Sequence, residues 1–102
     1  MSDPLSNLQI RKLKSMGQLL EPILKLGKEG LSEAFLRSVE EALKCHELIK
    51  IKFVAFKEEK KELTPLLAKK TQSLAVMRVG NVAVLYRAQP DPAKRKILSV
   101  KI

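Results

Sequence analysis

The chain has 102 residues, a length typical of one domain, and 45% of them are hydrophobic, which is enough for a folded core. It carries 20 Lys and Arg against 11 acidic residues, and this net charge of +9 favours polyanionic partners, nucleic acid before an anionic membrane. The sequence shows no membrane-spanning run and no signal sequence, and its one cysteine excludes an internal disulfide, so we expect a cytoplasmic protein.

The first helix is predicted between about Ser6 and Leu20, where apolar residues recur at helical spacing. Its predicted buried positions are Ile10, Leu13, Met16, Gly17 and Leu20. Three cations fall off this stripe and give the helix a basic side: Arg11, Lys12 and Lys14. Pro22 ends the helix, because the residue before a proline avoids the helical conformation.

A short apolar run, 23–26, is bounded by Pro22 and Gly27 and predicts the first strand. It leads into the corner Gly27-Lys28-Glu29-Gly30, after which Ser32 caps a second helix predicted to reach Lys44. A helix start presents unpaired N–H groups and the positive end of the helix dipole, so this corner predicts a phosphate site. The two glycines could equally serve only to turn the chain, and their spacing alone leaves both interpretations open.

The segment 48–54 alternates between apolar and basic residues, which is typical of a strand with one covered face and one basic face. Its covered face is predicted to hold Ile49, Ile51 and Phe53, and its basic face Lys50 and Lys52. The charged cluster 57–62 is predicted to be a loop or the start of a third helix. Pro65 is placed in the first turn of that helix, where its missing N–H is tolerated.

Two β-rich runs, 74–79 and 82–87, are joined by Gly80-Asn81, which is a strong hairpin signal. The predicted cross-strand pairs are Val79 with Val82, Met77 with Val84 and Ala75 with Tyr86. Residues 89–102, which include Lys94-Arg95-Lys96, are predicted to form a basic tail with a short strand at 97–100.

The order helix, then β-α-β-α-β-β, predicts a single α/β domain over residues 1–88. Strands joined through helices pair in parallel and the hairpin pairs antiparallel, which gives a four-stranded mixed sheet. We expect the helices to pack on one face of this sheet, in a two-layer sandwich.

Catalytic chemistry is not indicated by the residue types present. Cys45 and His46 are neighbours on a helix end, where side chains diverge, and no second Cys or His completes a zinc site. We therefore expect a buried structural cysteine, a histidine at a helix C-terminus, no metal, no cofactor and no enzymatic activity.

A basic surface is predicted instead, on the sheet face opposite the helices. It would hold Lys25, Lys50, Lys52, Arg78 and Arg87, and would be extended by Lys28 and by the cations of the first helix. The alternative is that these charges are scattered and only keep the protein in solution.

Three blocks of the sequence resemble one known family. Segment 22–32 resembles the signature loop of the CRM domain (chloroplast RNA splicing and ribosome maturation), 46–52 resembles its second block, and 79–87 its closing hairpin. The chain is similar to the stand-alone bacterial, YhbY-type members. It departs from the family at Met16-Gly17, where an Ala-His pair is frequent.

The resemblance implies an RNA-binding module associated with precursors of the large ribosomal subunit. We expect the protein to be a monomer. It also implies a fold like the C-terminal domain of bacterial translation initiation factor 3, with strand order 1-2-4-3. The family's G-x-x-G loop is likened to that of KH domains, which contacts the nucleic-acid backbone, and this points to Gly27, Lys28, Glu29 and Gly30. Alternatives are a role in translation or intron splicing, an enzyme of RNA metabolism, or binding to an anionic membrane.

Overall fold

A computed structural model describes residues 5–90, and within them an α/β domain of three helices and four strands. The elements are α1 (Asn7–Leu19), β1 (Leu24–Leu26), α2 (Glu33–His46), β2 (Leu48–Phe53), α3 (Lys60–Lys70), β3 (Leu74–Val79) and β4 (Val82–Tyr86). The sheet order is β1-β2-β4-β3, with β1 and β2 parallel and the other pairs antiparallel. The α/β class and the strand order are therefore confirmed. No helix in the described part of the chain is long and apolar enough to cross a membrane.

The first two helices each begin directly after a capping serine, and the cap at Ser32 was predicted. The Ser6 hydroxyl accepts from the Gln9 N–H while the Gln9 side chain accepts from the Ser6 N–H, which forms a capping box at α1. The Ser32 hydroxyl accepts from the Phe35 N–H at the start of α2. Both serines satisfy N–H groups that have no partner inside the helix.

The third helix begins earlier than its proline suggests. Its first residue is Lys60, so Pro65 lies in the second turn, and the prediction of a first-turn proline is wrong. The charged residues before the apolar stripe are part of the helix, since Leu63 N–H already bonds to Glu59 C=O. The Thr64 hydroxyl bonds to Lys60 C=O at the point where the proline interrupts the helical pattern.

One face of the sheet packs against α2 and α3. Its buried centre joins Ile49, Ile51 and Phe53 of β2 to the apolar stripes of the two helices. The helices contribute Val39 and Leu43 from α2 and Leu67 and Ala68 from α3. This part of the two-layer arrangement is as predicted.

Helix α1 packs on part of the opposite face, so the prediction that all helices pack on one face is wrong. Leu13 of α1 is buried in a second cluster with Leu48, Val84 and Tyr86. Gly17 allows the helix to approach closely, because a Cβ there would lie 3.0 Å from Val84 Cγ1. The strands β3 and β4 present apolar residues on both faces, and α1 removes the second set from water.

The hairpin register is confirmed near its turn and differs beyond it. Val79 pairs with Val82 and Met77 with Val84. A bulge between Ala75 and Met77 then shifts the register, so that Ala75 pairs with Leu85 rather than with Tyr86. The strand predicted at 97–100 lies outside the described residues.

Candidate nucleic-acid interface

The glycine corner is a tight turn at the carboxyl end of β1. The Gly30 N–H donates to Gly27 C=O over 3.0 Å, which closes a four-residue turn with Lys28 and Glu29 exposed at its centre. Two residues further on, Ser32 caps α2. The turn therefore ends three residues before α2, whose start carries unpaired N–H groups and the positive end of the helix dipole.

The loop that follows β2, residues 54–59, is hydrogen-bonded to the end of β1, where this turn begins. Leu26 C=O, the last carbonyl of β1, accepts from both Val54 N–H (3.0 Å) and Ala55 N–H (3.1 Å). The two loops thus leave the sheet together, at the carboxyl ends of the two parallel strands. That position is where open α/β sheets commonly bind ligands.

The two glycines of the turn have different reasons to be glycine. Gly30 has φ +64°, a left-handed conformation that side chains rarely adopt, and a Cβ there would lie 3.4 Å from the ring of Phe56. Gly27 has no such φ, and a Cβ there would meet nothing within 4 Å. The fold therefore favours glycine strongly at position 30, whereas at position 27 it would also accept a residue with a side chain.

Three of the predicted lysines lie on the sheet face that α1 only partly covers. Lys25 and Lys52 are directly paired across β1 and β2, and both are exposed. Lys50 is half-buried on the same face, opposite Val84. We call the exposed pair Lys25 and Lys52, together with Lys28 of the turn, the lysine cluster.

Two predicted members do not join the lysine cluster, and the prediction that they share a face with Lys50 and Lys52 is wrong. Arg78 pairs with Ala83, which is buried on the α2 and α3 side of the sheet. Arg87 Nη1 lies 2.7 Å from Glu40 Oε2 and also donates to Thr71 C=O, over 2.9 Å. Arg87 therefore ties β4 to α2 and to the end of α3.

The cations of α1 are all exposed but do not form one stripe. Arg11, Lys12 and Lys14 lie on the solvent side of a helix whose Leu13 and Gly17 face the sheet. Two residues along a helix correspond to a rotation of about 200°, so Lys12 and Lys14 lie on opposite flanks. Only part of this set can extend the lysine cluster.

The residues considered for catalysis are dispersed. His46 ends α2, as predicted, whereas Cys45 is exposed and not buried, so that prediction is wrong. Within residues 5–90, no group of three or more His, Cys, Asp or Glu is placed to hold a metal ion.

The fold and the glycine turn together define a small domain that presents a strand-to-helix turn beside a cationic sheet edge. The model of the CRS1 / YhbY (CRM) domain family matches residues 5–87, and the chain belongs to that family.

Named relatives are similar over most of their length. The chain is 37% identical over 87 residues to a probable RNA-binding protein of Pseudomonas aeruginosa, a match that covers 84% of each chain. It is 38% identical over 88 residues to an RNA-binding protein of Haemophilus influenzae, covering 85% of this chain and 89% of the relative. The probable RNA-binding protein YqeI of Bacillus subtilis is 34% identical over 88 residues, covering 85% and 92%.

A solved structure has the same fold. The solution structure of a Staphylococcus aureus protein, described as a candidate RNA-binding protein, superposes with a TM-score of 0.75 at 30% identity. The match covers 93% of this chain and all of that one.

Proposed function

We propose that this protein binds RNA, and that its ligand is ribosomal RNA in precursors of the large ribosomal subunit. Support for RNA as the ligand comes from the names of the relatives, which describe RNA-binding proteins. Support for ribosomal RNA comes from the family resemblance of the glycine turn and hairpin. The observation that carries the proposal is Gly27, a glycine beside open space in the turn that precedes α2. It is close in sequence to Lys25 and Lys28, and Lys52 is the cross-strand partner of Lys25.

The proposed contact is with the RNA backbone. The N–H groups of the turn and of the first turn of α2 hold one phosphate, and the helix dipole favours its negative charge. Lys25, Lys28 and Lys52 neutralise neighbouring phosphates. Glu29 is exposed at the centre of the turn and weakens this attraction.

The protein acts by binding alone in this proposal. Contacts to phosphate position a protein on RNA without reading its sequence, so selectivity comes from the shape of the RNA. A large-subunit precursor supplies such shapes before its RNA is fully covered by proteins.

The salt dependence of binding tests the backbone contact. Dissociation constants for a structured fragment of large-subunit ribosomal RNA would be measured between 50 and 200 mM salt. Each phosphate contact contributes about one unit to the slope of log K against log salt, so Lys25→Ser and Lys52→Ser should each reduce the slope by about one. Lys69→Ser is the matched control, because Lys69 is an exposed lysine on α3, on the opposite side of the sheet. Equal slopes for all four proteins would contradict the proposed surface.

The role in assembly needs a separate test in cells. Under this proposal the protein sediments with large-subunit precursors and crosslinks to their RNA. Sedimentation with translating ribosomes, or crosslinks confined to messenger RNA or introns, would support a translation or splicing factor instead.

A further inference from the structure

The loop between β2 and α3 holds an aromatic side chain in an unusual place. Phe56 is 39% exposed, whereas Phe53, three residues earlier, is fully buried. Its φ is +55°, a left-handed conformation that is unfavourable for a bulky residue and is concentrated at functional sites. The chain thus holds an aromatic ring partly in water at a conformational cost, and core packing alone does not account for that.

The ring lies directly beside the glycine turn. Phe56 Cε2 is 3.4 Å from the position that a Cβ of Gly30 would occupy, which is van der Waals contact. The loop is also fastened to the turn through Leu26 C=O, which accepts from Val54 and Ala55. A ligand phosphate on the turn would therefore have this ring within one nucleotide of it.

The surroundings of the ring suit a base better than a phosphate. Residues 54–59 line an open concavity of about 390 Å³, with Val54, Ala55 and Phe56 as its apolar part. Lys57, Glu58 and Glu59 complete its lining, so acidic groups outnumber basic ones there. Carboxylates repel phosphate, but they accept hydrogen bonds from the amino groups of nucleobases.

We propose that Phe56 stacks on one unpaired nucleobase of the bound RNA, adjacent to the phosphate held by the turn. This rests on the function proposed above. A base stacked inside an RNA double helix cannot present its face to a side chain. The site therefore selects RNA with a bulged, looped or single-stranded nucleotide. The low aromatic content of the chain argues against a multi-base platform, and a single exposed ring is compatible with reading one base.

The test compares two RNAs that differ by one base. The first is a stem with a single bulged nucleotide, and the second is the same stem with an abasic residue at the bulge. Stacking on one aromatic ring corresponds to roughly a tenfold difference in affinity, so the wild-type protein should bind the first RNA about tenfold more tightly. Phe56→Leu should lose this difference by binding the bulged RNA more weakly, and Phe56→Tyr should restore it.

Leu66→Ala is the matched control, since Leu66 on α3 is 42% exposed and does not line the concavity. It should keep the wild-type preference. Equal binding of the two RNAs by the wild-type protein overturns the stacking proposal, and this measurement needs no variant. Equal weakening of both RNAs by Phe56→Leu also overturns it, because the ring would then only support the turn. If the wild-type protein binds neither of these RNAs nor the ribosomal RNA fragment at low salt, the proposed function itself fails.

Discussion

Replacing Gly27 with alanine separates a glycine kept for folding from one kept for a ligand. A Cβ at this position meets no atom within 4 Å, and the backbone is not left-handed there. The folded state therefore loses nothing by the change, while the unfolded chain loses conformational freedom. We expect Gly27→Ala to leave the free energy of unfolding unchanged or to raise it by about 0.4–1 kcal/mol.

RNA binding should respond differently if the backbone of the RNA approaches the turn. The added methyl group would keep the phosphate from the N–H groups of the turn. Losing one hydrogen bond to a charged group corresponds to about 1.5–3 kcal/mol, which is roughly a 10- to 150-fold rise in the dissociation constant.

Fluorescence anisotropy with a labelled structured RNA at low salt measures the affinity, and thermal unfolding of the same samples measures stability. Gly80→Ala is the control, because Gly80 lies in the hairpin turn with φ +57° and open space around it. That variant should lose about 1 kcal/mol of stability and keep its affinity for RNA. If Gly27→Ala binds RNA as tightly as wild type, no phosphate approaches the turn closely and the reasoning is refuted.

Three further substitutions test other parts of the structure. Arg87→Ala should lower the free energy of unfolding by about 1–2 kcal/mol in chemical denaturation, because its bonds to Glu40 and Thr71 are lost. Its affinity for RNA should not change. A folded variant that binds RNA weakly would show that Arg87 contacts RNA. Glu29→Gln should tighten RNA binding two- to fivefold in anisotropy at low salt, about 0.4–1 kcal/mol, because it removes from the turn a negative charge that repels phosphate. Weaker binding would mean that the carboxylate itself contacts RNA. Gly17→Leu should lower the free energy of unfolding by about 1–3 kcal/mol, because even a Cβ there would lie 3.0 Å from Val84. Unchanged thermal unfolding would show that α1 is not closely packed against the sheet.

The features that could be predicted from the sequence depend on neighbouring residues. Ser6 and Ser32 mark helix starts through hydroxyl groups that act within one turn. Gly80-Asn81 marks the hairpin because a two-residue link constrains both strands. The strand order 1-2-4-3 was implied by the family resemblance and is confirmed by the structure.

The features that could not be predicted depend on distant pairings. The alternation of β2 is clear, but it does not say which face of β2 matches which face of β3 and β4. The structure pairs Lys50 with Val84, and this pairing sends Arg78 to the opposite side. One signal in the sequence does indicate a second covered face: β4 is apolar without interruption, which is typical of a strand covered on both faces.

The candidate site also has some features that depend on neighbouring residues and others that depend on distant ones. The corner Gly27–Gly30 is visible in the sequence because two glycines flank two charges between a strand and a helix. The difference between Gly27 and Gly30 is not visible there, since it depends on φ and on the position of Phe56. The proximity of Phe56 to the turn arises from hydrogen bonds between two loops that are separated by the whole of α2.

The central place of β4, the last strand within residues 5–90, also bears on how the protein folds. The strands β1 and β2 can pair with each other early. The sheet becomes continuous only when β4, which pairs with β3 on one edge, also pairs with β2 on its other edge. Because this joins segments far apart in sequence, it makes folding slower than helix or hairpin formation alone. The sheet can therefore be completed only after residue 86 has been synthesised, and a ribosome that stalls earlier would hold a chain whose β2 edge is unpaired and open to aggregation.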